Sequence, residues 1–202
     1  MSYLSSAISA FVQLGLVLVL PLAWWALAAR RTVAFLTWIG LRRPTWRASA
    51  PQLACAALSW VFVGLVSIVL LQSLSRGEPA SRFAGSGLAG VVPVLLFAII
   101  QTSLAEEIFF RGFLGKRLIA RWGFTVGNAV QAVVFGLLHV ALFASIAGPI
   151  QVVLIGAATA ASGWMTGWIN EKGAEGSIIP GWLLHATANL IVGLGAAFNL
   201  LA

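Results

Sequence analysis

The chain is built from apolar runs of about 20 residues, near 7–29, 52–74, 88–115, 124–143, 149–169 and 178–200, with short basic clusters between them. Runs of that length span the hydrocarbon core of a bilayer when wound as α-helix, which satisfies its own backbone polar groups there. The composition agrees: 60% of the residues are hydrophobic and 8% charged, too few charges to clothe a water-soluble domain of this size. The runs are continuous rather than alternating, which excludes strands of the outer-membrane-barrel type. The expected fold is therefore all-α, a polytopic membrane helix bundle of about six transmembrane helices. It forms a single integral membrane domain over residues 1–202.

The net charge of +7 would suit nucleic acid, but the basic residues lie in clusters between apolar runs, where they set topology. No nucleic-acid partner is expected; the bilayer is. Arg30, Arg31, Arg42, Arg43 and Arg47 make the 30–47 loop the most basic, so it is expected in the cytoplasm. Lys116, Arg117 and Arg121 after the third run, and Lys172 after the fifth, fall on the same side. The opposite loops hold Arg76 and Arg82 in one and no charge in the other. Both termini are then expected outside, in a multi-pass protein of the cell (inner or plasma) membrane. The first run has no basic residue before it and is expected to remain as a signal anchor. Cys55 is the single cysteine, so no intramolecular disulfide forms. Trp24, Trp25, Trp122, Trp168 and Trp182 sit near run ends, as interfacial anchors do, and Gly163 with Gly167 reads as close helix packing.

Against this background a few polar side chains stand out. Glu106 and Glu107, two of only five acidic residues, lie inside the apolar stretch LAEEIFFRGFLGKRL, with Arg111 following. An ionised carboxylate at the bilayer centre costs about 2.5–3.5 kcal/mol on insertion scales, so residues kept there are expected to work. Glu107 and Arg111 are four apart and pair on one helix face, while Glu106 points about 100° away. Both histidines of the chain, His139 and His185, also fall in apolar runs, and Asn189 follows His185 at i+4. Measured from the run ends at helical rise, Glu106 and His185 lie about 15 Å deep and His139 about 22 Å. One layer near the midplane can hold all three. Phe135, one turn before His139, would wall the site.

A carboxylate and an imidazole converging on one water form a general-base pair for hydrolysis. A second imidazole and an amide supply donors for the oxyanion that forms when water attacks a carbonyl. There is no G-x-S-x-G and no aspartate for a Ser-His-Asp triad, and no H-E-x-x-H. No metal is favoured; a zinc site from Glu106, His139 and His185 is the alternative, since catalytic zinc accepts two His and one Glu. Buried Glu, Arg and His also mark transporters, but no internal repeat or paired broken helices accompany them. The remaining alternative is a non-catalytic membrane immunity or scaffold protein.

The run Glu106-Glu107-Ile108-Phe109-Phe110-Arg111-Gly112 resembles the EExxxRG motif of the CAAX-protease and bacteriocin-processing (CPBP) family of intramembrane proteases. Phe135 to His139 is similar to that family's FxxxH motif, and His185 to Asn189 to its HxxxN motif. The three occur in family order within residues 104–189, on separate runs. The resemblance implies an intramembrane endopeptidase, of glutamate or metallo-endopeptidase type, related to the type II CAAX prenyl endopeptidases. Its substrate would be a peptide or protein entering from the membrane, with peptide processing or bacteriocin immunity as associated roles. Carried over, Glu106 and His139 would activate water, His185 and Asn189 would hold the oxyanion, and Glu107 with Arg111 would support them. The family has also been described as metal-dependent. About six spans, against eight in the best-known CAAX-processing members, would leave the substrate cavity differently walled.

Overall fold

A computed structural model describes residues 2–72 and 80–200. Arg76, and the last two positions of the expected 52–74 span, lie outside the described residues. No strand occurs among them. The helices are α1 (Tyr3–Ala28), α2 (Phe35–Trp38), α3 (Ala50–Gln72), α4 (Val91–Leu95), α5 (Lys116–Phe143), α6 (Pro149–Trp168) and α7 (Ile179–Ala197). Two π-helical segments, Leu96–Leu104 and Glu107–Gly115, join α4 to α5, and a third, Ile169–Gly173, extends α6. The protein is an all-α membrane bundle.

Among the described residues four helical stretches are long and apolar enough to cross a membrane: Tyr3–Ala28, Gly87–Phe143, Pro149–Gly173 and Ile179–Ala197. Within α3 the stretch Ala50–Val66 is apolar as well. The count differs from six partly because Gly87–Phe143 joins two expected spans into 57 residues. At about 1.5 Å per residue that length is nearly three times a hydrocarbon core of about 30 Å. It does not run straight. Gly123 has φ 77 and ψ 167, outside the helical region, a conformation that glycine adopts without a Cβ penalty. The chain doubles back there, and a Cβ added at Gly127 would lie 2.6 Å from the Ile119 Cα.

The chain divides into two compact units. The first comprises Met1–Arg43, Ala80–Phe113 and Ile178–Ala202. Its core holds Ile39, Ile108 and Ile178, with Leu14 and Leu18 of α1 and Leu104 packed against them. A second cluster gathers Phe83, Val94, Phe97 and Ala197. Gly112 is a contact residue here, since a Cβ on it would sit 2.6 Å from the Ile39 carbonyl oxygen. The second unit comprises Pro44–Pro79 and Leu114–Ser177. In it α5 and α6 meet along small residues: a Cβ at Gly136 would come 2.9 Å from the Ala160 Cβ. Large apolar side chains such as Leu16, Val19, Phe62, Val133, Val153 and Ile191 remain exposed. On a water-soluble protein so much exposed apolar surface would be an aggregation hazard; on a membrane bundle it faces lipid.

Candidate active site

The first unit carries most of the polar residues singled out by sequence. Glu106 and Glu107 lie where two π-helical segments meet, Leu96–Leu104 before them and Glu107–Gly115 after. A π turn closes i→i+5 bonds and so holds more residues than an α turn, and such turns recur at functional sites. Consecutive side chains are consequently splayed less, so both glutamates address neighbouring parts of the same surface.

Glu107 is fully buried. Its Oε1 lies 3.4 Å from Arg111 Nη1, one turn along, and the Arg111 side chain is 3% exposed. Burying either charge alone would carry a large desolvation cost; together they offset it. From α7, His185 reaches the same carboxylate, Nδ1 to Glu107 Oε1 at 3.4 Å. The other ring nitrogen, Nε2, lies 3.8 Å from Glu106 Oε2. One imidazole therefore stands between two carboxylates of different character. Glu107 is bound on two sides by partners, whereas the buried Glu106 Oε2 accepts no hydrogen bond among the described residues.

Asn189, one turn beyond His185, meets the preceding turn of the π-helical segment. Its Nδ2 donates to Thr102 Oγ1 and to Ser103 Oγ, both at 3.0 Å. An amide nitrogen has two hydrogens, so both are committed. The register is regular: Thr102 and Ser103 precede Glu106 and Glu107 by four residues, as His185 precedes Asn189.

Around this ladder lie polar groups that the sequence reading passed over. Gln101 Nε2 donates to Ser9 Oγ and Gln13 Oε1 of α1, each at 3.0 Å. Trp182, expected only as an interfacial anchor, donates its indole hydrogen to the Ile99 carbonyl at 2.9 Å. Thr102 Oγ1 donates to the Phe97 carbonyl at 2.9 Å. A signal was present for some of them: Ser9 and Gln13 form an i,i+4 polar pair in an apolar helix, and Gln101, Thr102 and Ser103 run consecutively into the motif.

His139 and Phe135 belong to the second unit, on α5. His139 Nδ1 lies 2.9 Å from the Phe135 carbonyl oxygen. A carbonyl only accepts, so a neutral His139 carries its hydrogen on Nδ1 and its lone pair on Nε2, the tautomer a general base needs. The Phe135 ring meets the imidazole edge-on, centroids 4.7 Å apart at 66°, and holds its plane.

The same unit has its own buried polar seam. Asn128 Nδ2 donates to the Trp164 carbonyl, and Gln131 Nε2 to Asn128 Oδ1 and the Gly163 carbonyl, at 2.9–3.0 Å. Trp60 Nε1 donates to Thr166 Oγ1 at 3.2 Å. Gly167 leaves the room that Asn128 occupies. At the end of this unit, Lys116 pairs with Glu171 and Arg47 with Glu175. These are neutral glue and peripheral ion pairs. Among the described residues no group of three His, Cys, Asp or Glu side chains is gathered that could hold a metal ion.

The arrangement in the first unit suits hydrolysis: a buried ion pair, a carboxylate oxygen that accepts no hydrogen bond among the described residues, and an imidazole between the two carboxylates. No curated protein and no solved structure matches the chain. A family model for type II CAAX prenyl endopeptidase Rce1-like proteins matches residues 88–191. That stretch is more than half of the 202 residues and contains all three motif segments. The chain therefore belongs to the Rce1-like family of type II CAAX prenyl endopeptidases.

Proposed function

We propose that the protein is an intramembrane endopeptidase in which Glu106 and His139 activate the hydrolytic water. Family membership supports protease activity of the CAAX type in general, with a peptide or protein substrate met in the membrane. The choice of Glu106 over Glu107 for the water rests on one observation: Glu107 is held by Arg111 and His185, while Glu106 Oε2 accepts no hydrogen bond among the described residues. A buried carboxylate oxygen of that kind is an acceptor for a group the protein does not supply, and hydrolysis needs a water there.

In this reading Glu106 polarises the water and His139, with its lone pair on Nε2, takes the proton as the oxygen attacks the scissile carbonyl. His185 and Asn189 carry the developing oxyanion. Glu107 and Arg111 hold His185 and the motif helix in place. The proton returns to the leaving amine as the tetrahedral species collapses. Bacteriocin immunity or peptide processing is a setting that such an activity fits.

The test is cleavage of a quenched fluorescent membrane-peptide library, prenylated CAAX peptides included, by the purified protein beside Glu106→Gln. The expected result is cleavage by the wild type, loss in the variant, and no effect of a strong zinc chelator. Loss with chelator and recovery with zinc would replace the water-activating glutamate with a metal mechanism. If Glu106→Gln also matched the wild type in every cellular phenotype, the protease reading would give way to a binding or transport role.

A further inference from the structure

We infer that Thr102 and Ser103 are positioning residues for the oxyanion site, with unequal parts: Thr102 keeps Asn189 in place, and Ser103 releases it. The inference rests on the proposed role of Asn189 and adds what that role requires of its neighbours.

As the side chains stand, both Asn189 amide hydrogens are spent on hydroxyl oxygens, at 3.0 Å each. An amide so bonded has nothing left for an oxyanion. If Asn189 is to serve there, one of the two bonds has to open when substrate is bound, and the other has to stay so that the amide keeps its direction. The surroundings decide which. Thr102 Oγ1 donates its own hydrogen to the Phe97 carbonyl at 2.9 Å, with the Ala98 carbonyl at 3.4 Å. That fixes the hydroxyl rotor with its lone pairs toward Asn189, and a hydroxyl that donates becomes a better acceptor. The bond to Thr102 is thus one link in a chain anchored to backbone. The Ser103 hydroxyl donates to no such backbone anchor among the described residues, and its bond to Asn189 is the one that yields.

The fold supplies the reason why two successive residues face one amide. Thr102 and Ser103 lie in the π-helical segment Leu96–Leu104, whose wider turn brings successive side chains closer in direction than an α-helix does. Ser103 is fully buried, so its hydroxyl meets no solvent and competes for Asn189 until substrate displaces it. One turn on, the same spacing sets His185 against Glu106 and Glu107. Asn189 and His185 are then held in one rank, the first by hydroxyls and the second by carboxylates.

Two independent readouts test this. In full-length protein labelled with ¹⁵N-asparagine in detergent micelles, the Asn189 side-chain NH₂ pair is assigned by its loss in Asn189→Asp. Thr102→Val is expected to shift both signals and speed their exchange with solvent, Thr102→Ser to restore them, and Ser103→Ala to move one signal only. Equal disturbance by Thr102→Val and Ser103→Ala overturns the division of roles. The second readout is cleavage of whichever fluorogenic peptide the wild type cuts. Thr102→Val is expected to lower kcat about tenfold with KM unchanged, a fraction of the loss from removing an oxyanion donor outright. Thr102→Ser recovers it, and Ser103→Ala, which removes the competing acceptor, raises kcat above the wild type. A fall in kcat for Ser103→Ala as large as for Thr102→Val, or a loss in Thr102→Val that appears only in KM, overturns the inference. A wild type that cuts no peptide counts against the protease reading, while the resonances still decide whether Thr102 and Ser103 hold Asn189 unequally.

Discussion

The two units bury polar groups in contrasting ways. In the first, ionisable groups are buried beside neutral ones: Glu107 and Arg111, with His185 and Glu106 next to them. In the second, α5 and α6 are joined by amides and hydroxyls that pair with one another and with backbone carbonyls, and the acidic residues Glu171 and Glu175 pair with Lys116 and Arg47 away from that seam. A neutral hydrogen bond between membrane helices contributes about 0.6 kcal/mol on average, which is enough for packing. A buried charge costs several times as much and is retained where chemistry or a dedicated partner requires it. The difference separates adhesive polarity from reactive polarity within one bundle.

The largest effect expected from this contrast is on Glu106→Gln. The substitution keeps the side chain's shape but removes the carboxylate charge that polarises the water, so hydrolysis should fall about 10²- to 10⁴-fold while thermal unfolding in detergent stays near the wild-type temperature. Equal losses in rate and stability would mean that Glu106 is a structural carboxylate like its neighbour. Arg111→Met is the complementary case. It strands the Glu107 carboxylate, and breaking one side of a buried pair costs about 3–5 kcal/mol. The double variant Glu107→Gln with Arg111→Met should recover part of that loss, and the thermodynamic cycle measures the coupling. No recovery would show that Arg111 acts through packing rather than charge.

In the second unit Gln131→Leu removes a donor shared between Asn128 and the Gly163 carbonyl. Stability should fall by about 1 kcal/mol, with kcat untouched. A change in kcat without a change in stability would place this seam among the reactive groups and erase the contrast.

The candidate residues could be picked out from sequence because polar groups are conspicuous in an apolar run, and those of the first unit lie near one another. Glu106, Glu107, Arg111, His139, His185 and Asn189 each break such a run, and the spacing of four announced which would share a helix face. The fourth span was placed from residue 124, directly after the backbone break at Gly123. What escaped was set by helix winding and by neutral side chains. Hydropathy does not distinguish a π turn from an α turn, so nothing in the sequence placed Thr102 and Ser103 side by side against Asn189. Depths measured at the α-helical rise were drawn for a straight helix that the π segments replace. Gln101, Ser9 and Gln13 look like ordinary tolerated polar residues until their mutual hydrogen bonds are seen.

The smallest effect is expected at Lys116, and it bears on where a charge sits rather than whether it is paired. Its Nζ lies 2.7 Å from Glu171 Oε1 and 2.7 Å from the Gly176 carbonyl oxygen. By distance this is a better ion pair than Arg111 with Glu107 at 3.4 Å. Distance alone would therefore rank Lys116 first. The environment reverses the order, because both partners keep some solvent exposure, 15% and 21% of their side chains. Water competes for each of them, so the pair contributes about 0–1 kcal/mol. Lys116→Met should cost no more than that, and salt near 1 M, where screening acts within about 3 Å, should shrink the cost further. The Arg111→Met loss should barely respond to salt, since no ions reach a pair with 3% and 0% exposure. Unfolding of both variants at low and high salt makes the measurement. If Lys116→Met proved as costly as Arg111→Met, and as indifferent to salt, burial would not be what distinguishes the two kinds of charge.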